Sequence, residues 1–246
     1  MYSPLEQFNV INLKTISIFG FIDISLTNVV LPLIFAILFV KLIIVLFKDK
    51  LNLIPNSWQY IFENFYLFVF NILKAQVGAK GFFYFPFIFT IFNFILITNL
   101  ISLTPFGIAL TSHIIMMLFL SLTIWSAIFL IGFRTHQLNF LKIFIPESPF
   151  ILLLILIPIE MFSYLIRAFS LAIRLSANIM AGHTLVYIIS SFILNMSYLS
   201  FWFFFVFVGV LLAILLLEIG VAFLQAYVFT ILTCIYLNDS LKQPGH

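Results

Sequence analysis

Two stretches of this sequence, 150–190 and 198–237, each run for about 40 residues of nearly unbroken helix-compatible, apolar character. At 1.5 Å per residue, a helix of that length reaches roughly 60 Å, twice the bilayer core of about 30 Å. Each stretch is therefore either two membrane spans or one strongly tilted helix. A soluble bundle does not survive the charge count. Only 8% of the 246 residues are charged and 64% are hydrophobic, against about 25% charged in an ordinary soluble domain. So few charges cannot cover a water-facing surface, and the chain reads as an all-α polytopic membrane protein.

The remaining spans follow the same logic. Residues 1–28 form an N-terminal segment. A first span fits 29–47 and ends at the charged run Lys48, Asp49, Lys50. Residues 57–76 are less apolar. On a helical wheel Gln59, Glu63 and Lys74 share one face, while Phe62, Phe65, Phe68 and Val69 lie elsewhere. That pattern suits a helix lying in the interface, with a buried span bearing a few polar residues as the alternative. Residues 82–103 and 114–133 make a hairpin whose connector, Thr104–His113, contains Pro105 and Gly107 but no Lys or Arg.

Charge placement decides how the long stretches are used. The positive-inside rule puts the loops with Lys48, Lys50, Lys74 and Lys80, and with Arg134 and Lys142, on one side. Splitting 150–190 around residues 167–174 would carry Arg167 and Arg174 to the other side. No Gly or Pro lies between Pro158 and Gly182 to make the required turn. Each stretch is better read as one long tilted helix, the pair forming a hairpin that returns Lys242 inside. The expected architecture is one membrane domain over 1–246, with about five crossings and one interfacial amphipathic helix.

Other function classes find little support. The single cysteine, Cys234, excludes an intrachain disulfide and any multi-cysteine metal site. His113, His136, His183 and His246 offer no pair at helical spacing for haem or zinc. No metal or cofactor is expected. The formal charge of +3 is spread among loops, so no nucleic-acid stripe exists. No glycine-rich phosphate loop or acyl-transfer triad occurs. The N-terminus lacks the basic, apolar, small-residue order of a cleaved signal. Abundant Phe, Ile and Asn with scarce Gly fit the codon bias of an AT-rich, organelle-encoded gene.

Ionisable residues inside apolar helices carry the functional signal. In the first long stretch Glu160, Ser163, Arg167, Ser170, Arg174 and Asn178 recur at steps of three or four. At 100° per residue all fall within about 40° of Arg174, one polar stripe on an apolar helix. Each ionisable group costs about 2.5–3.5 kcal/mol in a membrane on the lenient insertion scale, and such groups usually mark an ion path. A Glu160–Arg167 pair, seven residues apart, would equally serve to staple helices. Arg174 has no acidic residue within a turn, so its partner must come from another helix or another chain. His183 lies half a turn round from Arg174. On the second long stretch Glu218, Gln225 and Tyr236 share a face, with Asp239 near its inner end. A His183–Glu218 pair bridging the two helices in a hydrated outer pocket would make a proton relay. A secondary transporter would be expected to show inverted repeats, and none is evident. A purely structural membrane subunit would tolerate a neutral residue at position 174.

The run from Pro158 through Glu160, Arg167, Arg174 and Asn178 to His183 resembles the signature of subunit a of rotary ATP synthases. So does the run from Leu217 and Glu218 through Gln225 to Tyr236, and Ser3-Pro-Leu-Glu-Gln-Phe8 is similar to the start of mitochondrial members. The resemblance covers essentially the whole chain. It implies a proton-translocating stator subunit with two offset half-channels, non-catalytic by itself, in the mitochondrial inner membrane or an alphaproteobacterial plasma membrane. Implied partners are a ring of proton-carrying c subunits, a peripheral stalk, other small membrane subunits and the lipid bilayer. Arg174 would couple the ring carboxylate and block leaks. Asn178 and Gln225 match polar residues near it, and His183 and Glu218 match paired positions of one access channel. Many bacterial members hold these two groups in the swapped order. Ala168 departs from the proline common after the basic residue, which loosens any role carried over to Arg167. A sodium-driven version of the same subunit would share these features.

Overall fold

The computed structural model describes residues 8–10, 12–18, 22–28, 30–48, 56–104, 110–137, 150–196 and 201–241. Residues 3–7 of the N-terminal resemblance, and Asp49, Lys50, Pro105, Gly107, Lys142, Lys242 and His246, lie outside the described residues. So does the Arg167 side chain, although its backbone lies in a helix.

Among the described residues six α-helices follow a short hairpin. The hairpin pairs β1 (Asn12–Ile18) antiparallel with β2 (Ile22–Thr27), in register Lys14↔Leu26 to Ile18↔Ile22, with an irregularity between Asn12 and Lys14. The helices are α1 (Val30–Lys48), α2 (Ser57–Val77), α3 (Phe85–Ser102), α4 (Ile114–His136), α5 (Phe150–Met196) and α6 (Phe201–Leu241). One 3-10 turn, Ala79–Tyr84, leads into α3 and another, Leu110–Ser112, precedes α4. Residues Ala79–Ser102, Ile114–His136, Ala168–Ile193 and Phe204–Leu241 are long and apolar enough to cross a membrane, and α1 carries a shorter apolar stretch, Pro32–Leu42. The chain is an all-α polytopic membrane protein, with the hairpin as an addition the sequence reading did not anticipate.

Both long stretches form single continuous helices. α5 has 47 residues and α6 has 41, about 70 Å and 60 Å at 1.5 Å per residue. α5 absorbs Pro158 without breaking. Proline is tolerated in membrane helices where neighbours re-satisfy the freed carbonyl.

The chain forms two compact units, residues 1–51, 93–114 and 175–226 in one, and 52–92, 115–174 and 227–246 in the other. Hydrophobic burial does not drive helices together in lipid, so close packing and polar contacts must hold each unit. In the first unit the fully buried Ser176 donates its hydroxyl to the Ser112 carbonyl at 2.7 Å, and Asn99 donates its amide to the Ala222 carbonyl at 3.4 Å. The second unit relies on aromatic packing between α2 and the start of α3. Tyr66 meets Phe85 at 4.6 Å between ring centroids and Phe65 meets Phe92 at 5.2 Å, pairs worth about 0.5–1.5 kcal/mol each beyond their area.

α2 is the most amphipathic of the helices. Asn56 caps its start by accepting the Ser57 N–H at 2.9 Å, and Gly78 ends it at φ 73°, a left-handed position that a side chain rarely adopts. Gln59, on the predicted polar face, is buried and donates to the Glu63 carboxylate at 2.7 Å, while Lys74 is exposed.

Candidate functional site

The described residues of the α5 polar stripe are mostly exposed. Ser163, Ser170, Arg174 and Asn178 are exposed and Glu160 is half-buried. Ala168, Leu171, Ala172, Leu175, Ser176 and Ile179, on the other side of the same helix, are buried. A 100° step makes this division automatic once one face is committed to the core. Arg174 falls inside the span-length apolar segment Ala168–Ile193, and takes part in no ion pair among the described residues. An apolar membrane helix thus carries a guanidinium that is exposed and unpaired among the described residues.

The polar face of α6 is treated in the opposite way. Glu218 and Gln225 are 8% and 7% exposed. Gln225 accepts a long hydrogen bond, 3.4 Å, from the Asn178 amide, joining two residues that the sequence reading had placed on different helices. The Glu218 carboxylate lies directly on Gly182. A Cβ there would collide with its Oε1, with Cδ at 3.0 Å and Cγ at 3.2 Å. Absence of a side chain at residue 182 therefore makes the seat of this carboxylate. Glu218 Oε1 is buried and finds no hydrogen-bond partner among the described residues. The carboxylate borders a cleft of about 350 Å³, lined also by Leu103, Asn178, Leu185 and Leu217. That volume has room for several water molecules.

His183 follows Gly182 directly, but it is not among the residues lining this cleft. Its imidazole lies within hydrogen-bonding reach of the Ser102 backbone at the end of α3. The ring of Phe8 packs edge-on against it, with centroids 6.3 Å apart. Its Nε2 is buried without a partner among the described residues. So Glu218 and the imidazole are brought to adjacent residues of α5, each with its own set of contacts.

In the second unit Tyr236 is buried and lines a void of about 10 Å³ with Ser121, Trp125, Ala168 and Thr233. Asp239 is half-buried one turn further along α6.

Sequence reasoning missed Phe8, Asn99, Ser102 and Gly182. Asn99, fully buried within α3, carried a readable signal, because an amide inside an apolar span needs a partner. The other three owe their place to contacts with residues remote in the chain.

The sequence from residue 29 to 238 matches the family described as ATP synthase A chain. The chain belongs to that family. It is 43% identical to "ATP synthase subunit a" of Chondrus crispus, over 97% of this chain and 96% of the relative. It is 42% identical to the protein of that name in Anaplasma marginale, over 99% of this chain and 100% of the relative. The corresponding protein of Acanthamoeba castellanii is 42% identical over 97% of each chain. Each of these relatives thus aligns with nearly the whole of this chain.

Proposed function

We propose that this chain is the proton-translocating stator subunit of an ATP synthase membrane sector, working against a ring of carboxylate-bearing subunits. The observation that carries the reading is Arg174, an exposed guanidinium within a span-length apolar helix segment, with no ion pair among the described residues. Charge in hydrocarbon is costly, so a partner must meet it, and a carboxylate is the partner that makes the site useful. A ring carboxylate travels through lipid when protonated and is favoured in its ionised form beside Arg174. Its proton leaves inward there, and the carboxylate reloads from an outer half-channel containing Glu218 and His183. Arg174, placed between the two half-channels, blocks a direct leak. Asn178 and Gln225, bonded to each other, line the approach, while Tyr236 and Asp239 belong to the inner path. Glu160 and Arg167 extend the stripe. Each charge crossing the membrane yields about 2.3 kcal/mol per 100 mV, which this subunit turns into rotation while ATP chemistry proceeds on other subunits.

Helices about 70 and 60 Å long fit a bilayer only when strongly tilted, so α5 and α6 form a tilted hairpin facing the ring, with α2 in the interface. The partners are the c ring, a peripheral stalk and small membrane subunits. The setting is the mitochondrial inner membrane, given relatives in eukaryotes such as Chondrus crispus; relatives such as Anaplasma marginale make a bacterial plasma membrane the alternative.

Arg174→Ala tests the reading. In vesicles holding normally assembled complex, proton-driven ATP synthesis is expected to vanish and passive proton leak to rise. Arg174→Lys is expected to be severely defective too, since an ammonium lacks the planar fork and sheds its proton when desolvated. Wild-type synthesis by the alanine variant would sink the mechanism.

A further inference from the structure

The His183 imidazole is held from the N-terminal segment as well as from α3. Phe8 stands edge-on to it, ring planes 82° apart and centroids at 6.3 Å. The stretch carrying Phe8 is itself tied down: Asn28, buried just after β2, donates its side-chain amide to the Asn9 carbonyl at 3.0 Å. On the imidazole, the Ser102 backbone occupies one hydrogen-bonding direction, and Nε2 is shut off from solvent with no partner among the described residues. Phe8, Asn9, Asn28, Ser102 and His183 all belong to one compact unit.

From this we infer that Phe8 is a positioning residue for His183: its ring, anchored through Asn9 and Asn28, fixes the imidazole's orientation and keeps bulk water off Nε2. The consequence is directional. An imidazole open to water exchanges protons on every side. One backed by an aromatic ring and pinned by a backbone carbonyl exchanges only where its free nitrogen leads, and the group seated beside it on the preceding residue is the Glu218 carboxylate. Edge-to-face geometry suits this purpose, because it holds the ring by the quadrupole without consuming a nitrogen. The inference rests on the proposal that His183 carries protons.

The test uses assembled complex in membrane vesicles with Phe8→Ala, Phe8→Tyr and Asn28→Ala. The first readout is the rate at which diethyl pyrocarbonate modifies His183, resolved from the other histidines by mass spectrometry. The second is proton uptake by the membrane sector. Phe8→Ala and Asn28→Ala are expected to raise the modification rate about three- to tenfold, the range an edge-on aromatic contact is worth, and to slow uptake. Phe8→Tyr, which keeps the ring, is expected to match wild type in both. An unchanged modification rate in Phe8→Ala, or an equal rise in Phe8→Tyr, overturns the inference. Should Phe8→Ala fail to assemble, Phe8→Leu, which keeps apolar bulk without the ring, takes its place under the same criteria. His183→Gln separates the two levels. If it leaves uptake unchanged, the proton-carrying role falls. If it abolishes uptake while the Phe8 variants behave as wild type, only the positioning role does.

Discussion

Gly182→Ala puts the seat of the Glu218 carboxylate under direct test. A methyl at residue 182 would overlap Oε1 and stand 3.0 Å from Cδ and 3.2 Å from Cγ, where ordinary contact begins at 3.4 Å. Cγ must therefore retreat by a few tenths of an ångström and the carboxylate oxygen by about 1 Å. The obstructing atoms are the far end of a flexible side chain, so the helices need not part. Glu218 can swing away at the cost of an off-rotamer torsion, ~0.5–1.5 kcal/mol. Assembly should survive, and the seated carboxylate should lose about two- to tenfold in population. Proton uptake and ATP synthesis, normalised to assembled complex in vesicles, are expected to fall by that factor. Shortening the acid probes the same contact from the other side. Glu218→Asp alone is impaired because the carboxylate no longer reaches its place. In the double variant, however, the shorter chain clears the methyl. The double defect should thus be smaller than the product of the single defects, a coupling expected only of residues in contact. Multiplicative defects, or a wild-type rate in Gly182→Ala, would refute the proposed seat.

Glu218→Gln keeps the shape of the side chain and removes its titration. Proton uptake should slow markedly with assembly intact, and unchanged flux would count against a relay through this carboxylate. His113, in the connector before α4 and outside the span, has its Nε2 buried without a partner, and burial lowers its proton affinity below the usual histidine range. The unfolded chain then binds more protons than the folded one, so the contribution of His113 is fully present above its unfolded value near 6.5 and is lost as pH falls towards the folded value. Thermal unfolding of the complex between pH 7.5 and 5.5 should be less pH-sensitive in His113→Gln than in wild type, and parallel curves would exclude that contribution.

Much of this fold could be read directly because lipid simplifies the problem. Backbone groups in hydrocarbon must be satisfied within the segment, so apolar length translates into helix length. Helices accordingly lie over 30–48, 85–102, 114–136, 150–196 and 201–241, close to the stretches at 29–47, 82–103, 114–133, 150–190 and 198–237. The lack of a breaker between Pro158 and Gly182 foretold that α5 is continuous. The β-hairpin was overlooked. Its strands are six and seven residues long, and the signal was a brief alternation around Gly20 that a search for span-length runs passes over. The stripe on α5 follows from helical periodicity alone. What periodicity could not supply is which polar face turns inward. The exposure of Arg174 and the burial of Glu218 are set by neighbouring helices, as are the seat at Gly182 and the ring contact of Phe8.

That contrast between the two long helices narrows the search for working residues. In lipid, polar side chains serve either as glue between helices or as part of an ion path. Gln225 and Asn178 bond each other, Ser176 bonds the Ser112 carbonyl, and Thr98, Ser102, Thr233 and Ser240 return their hydroxyls to carbonyls of their own helices. These groups are accounted for by the fold. Among the described residues Arg174, Glu218 Oε1 and His183 Nε2 have no such partner, and neither have Asn99 Oδ1, Thr111 Oγ1, His113 Nε2 and His136 Nε2. Location removes the last two, since His113 immediately precedes α4 and His136 is its last residue. Chemistry separates the rest. Asn99 and Thr111 are neutral and can do no more than orient a water molecule. Of these groups, Glu218 and His183 can hold and release a proton, and Arg174 carries a permanent charge. Among the described residues the fold thus leaves an exposed cation on α5, and a carboxylate and an imidazole whose buried atoms lack hydrogen-bond partners, which are the groups that the proposed loading and unloading of a passing carboxylate would use.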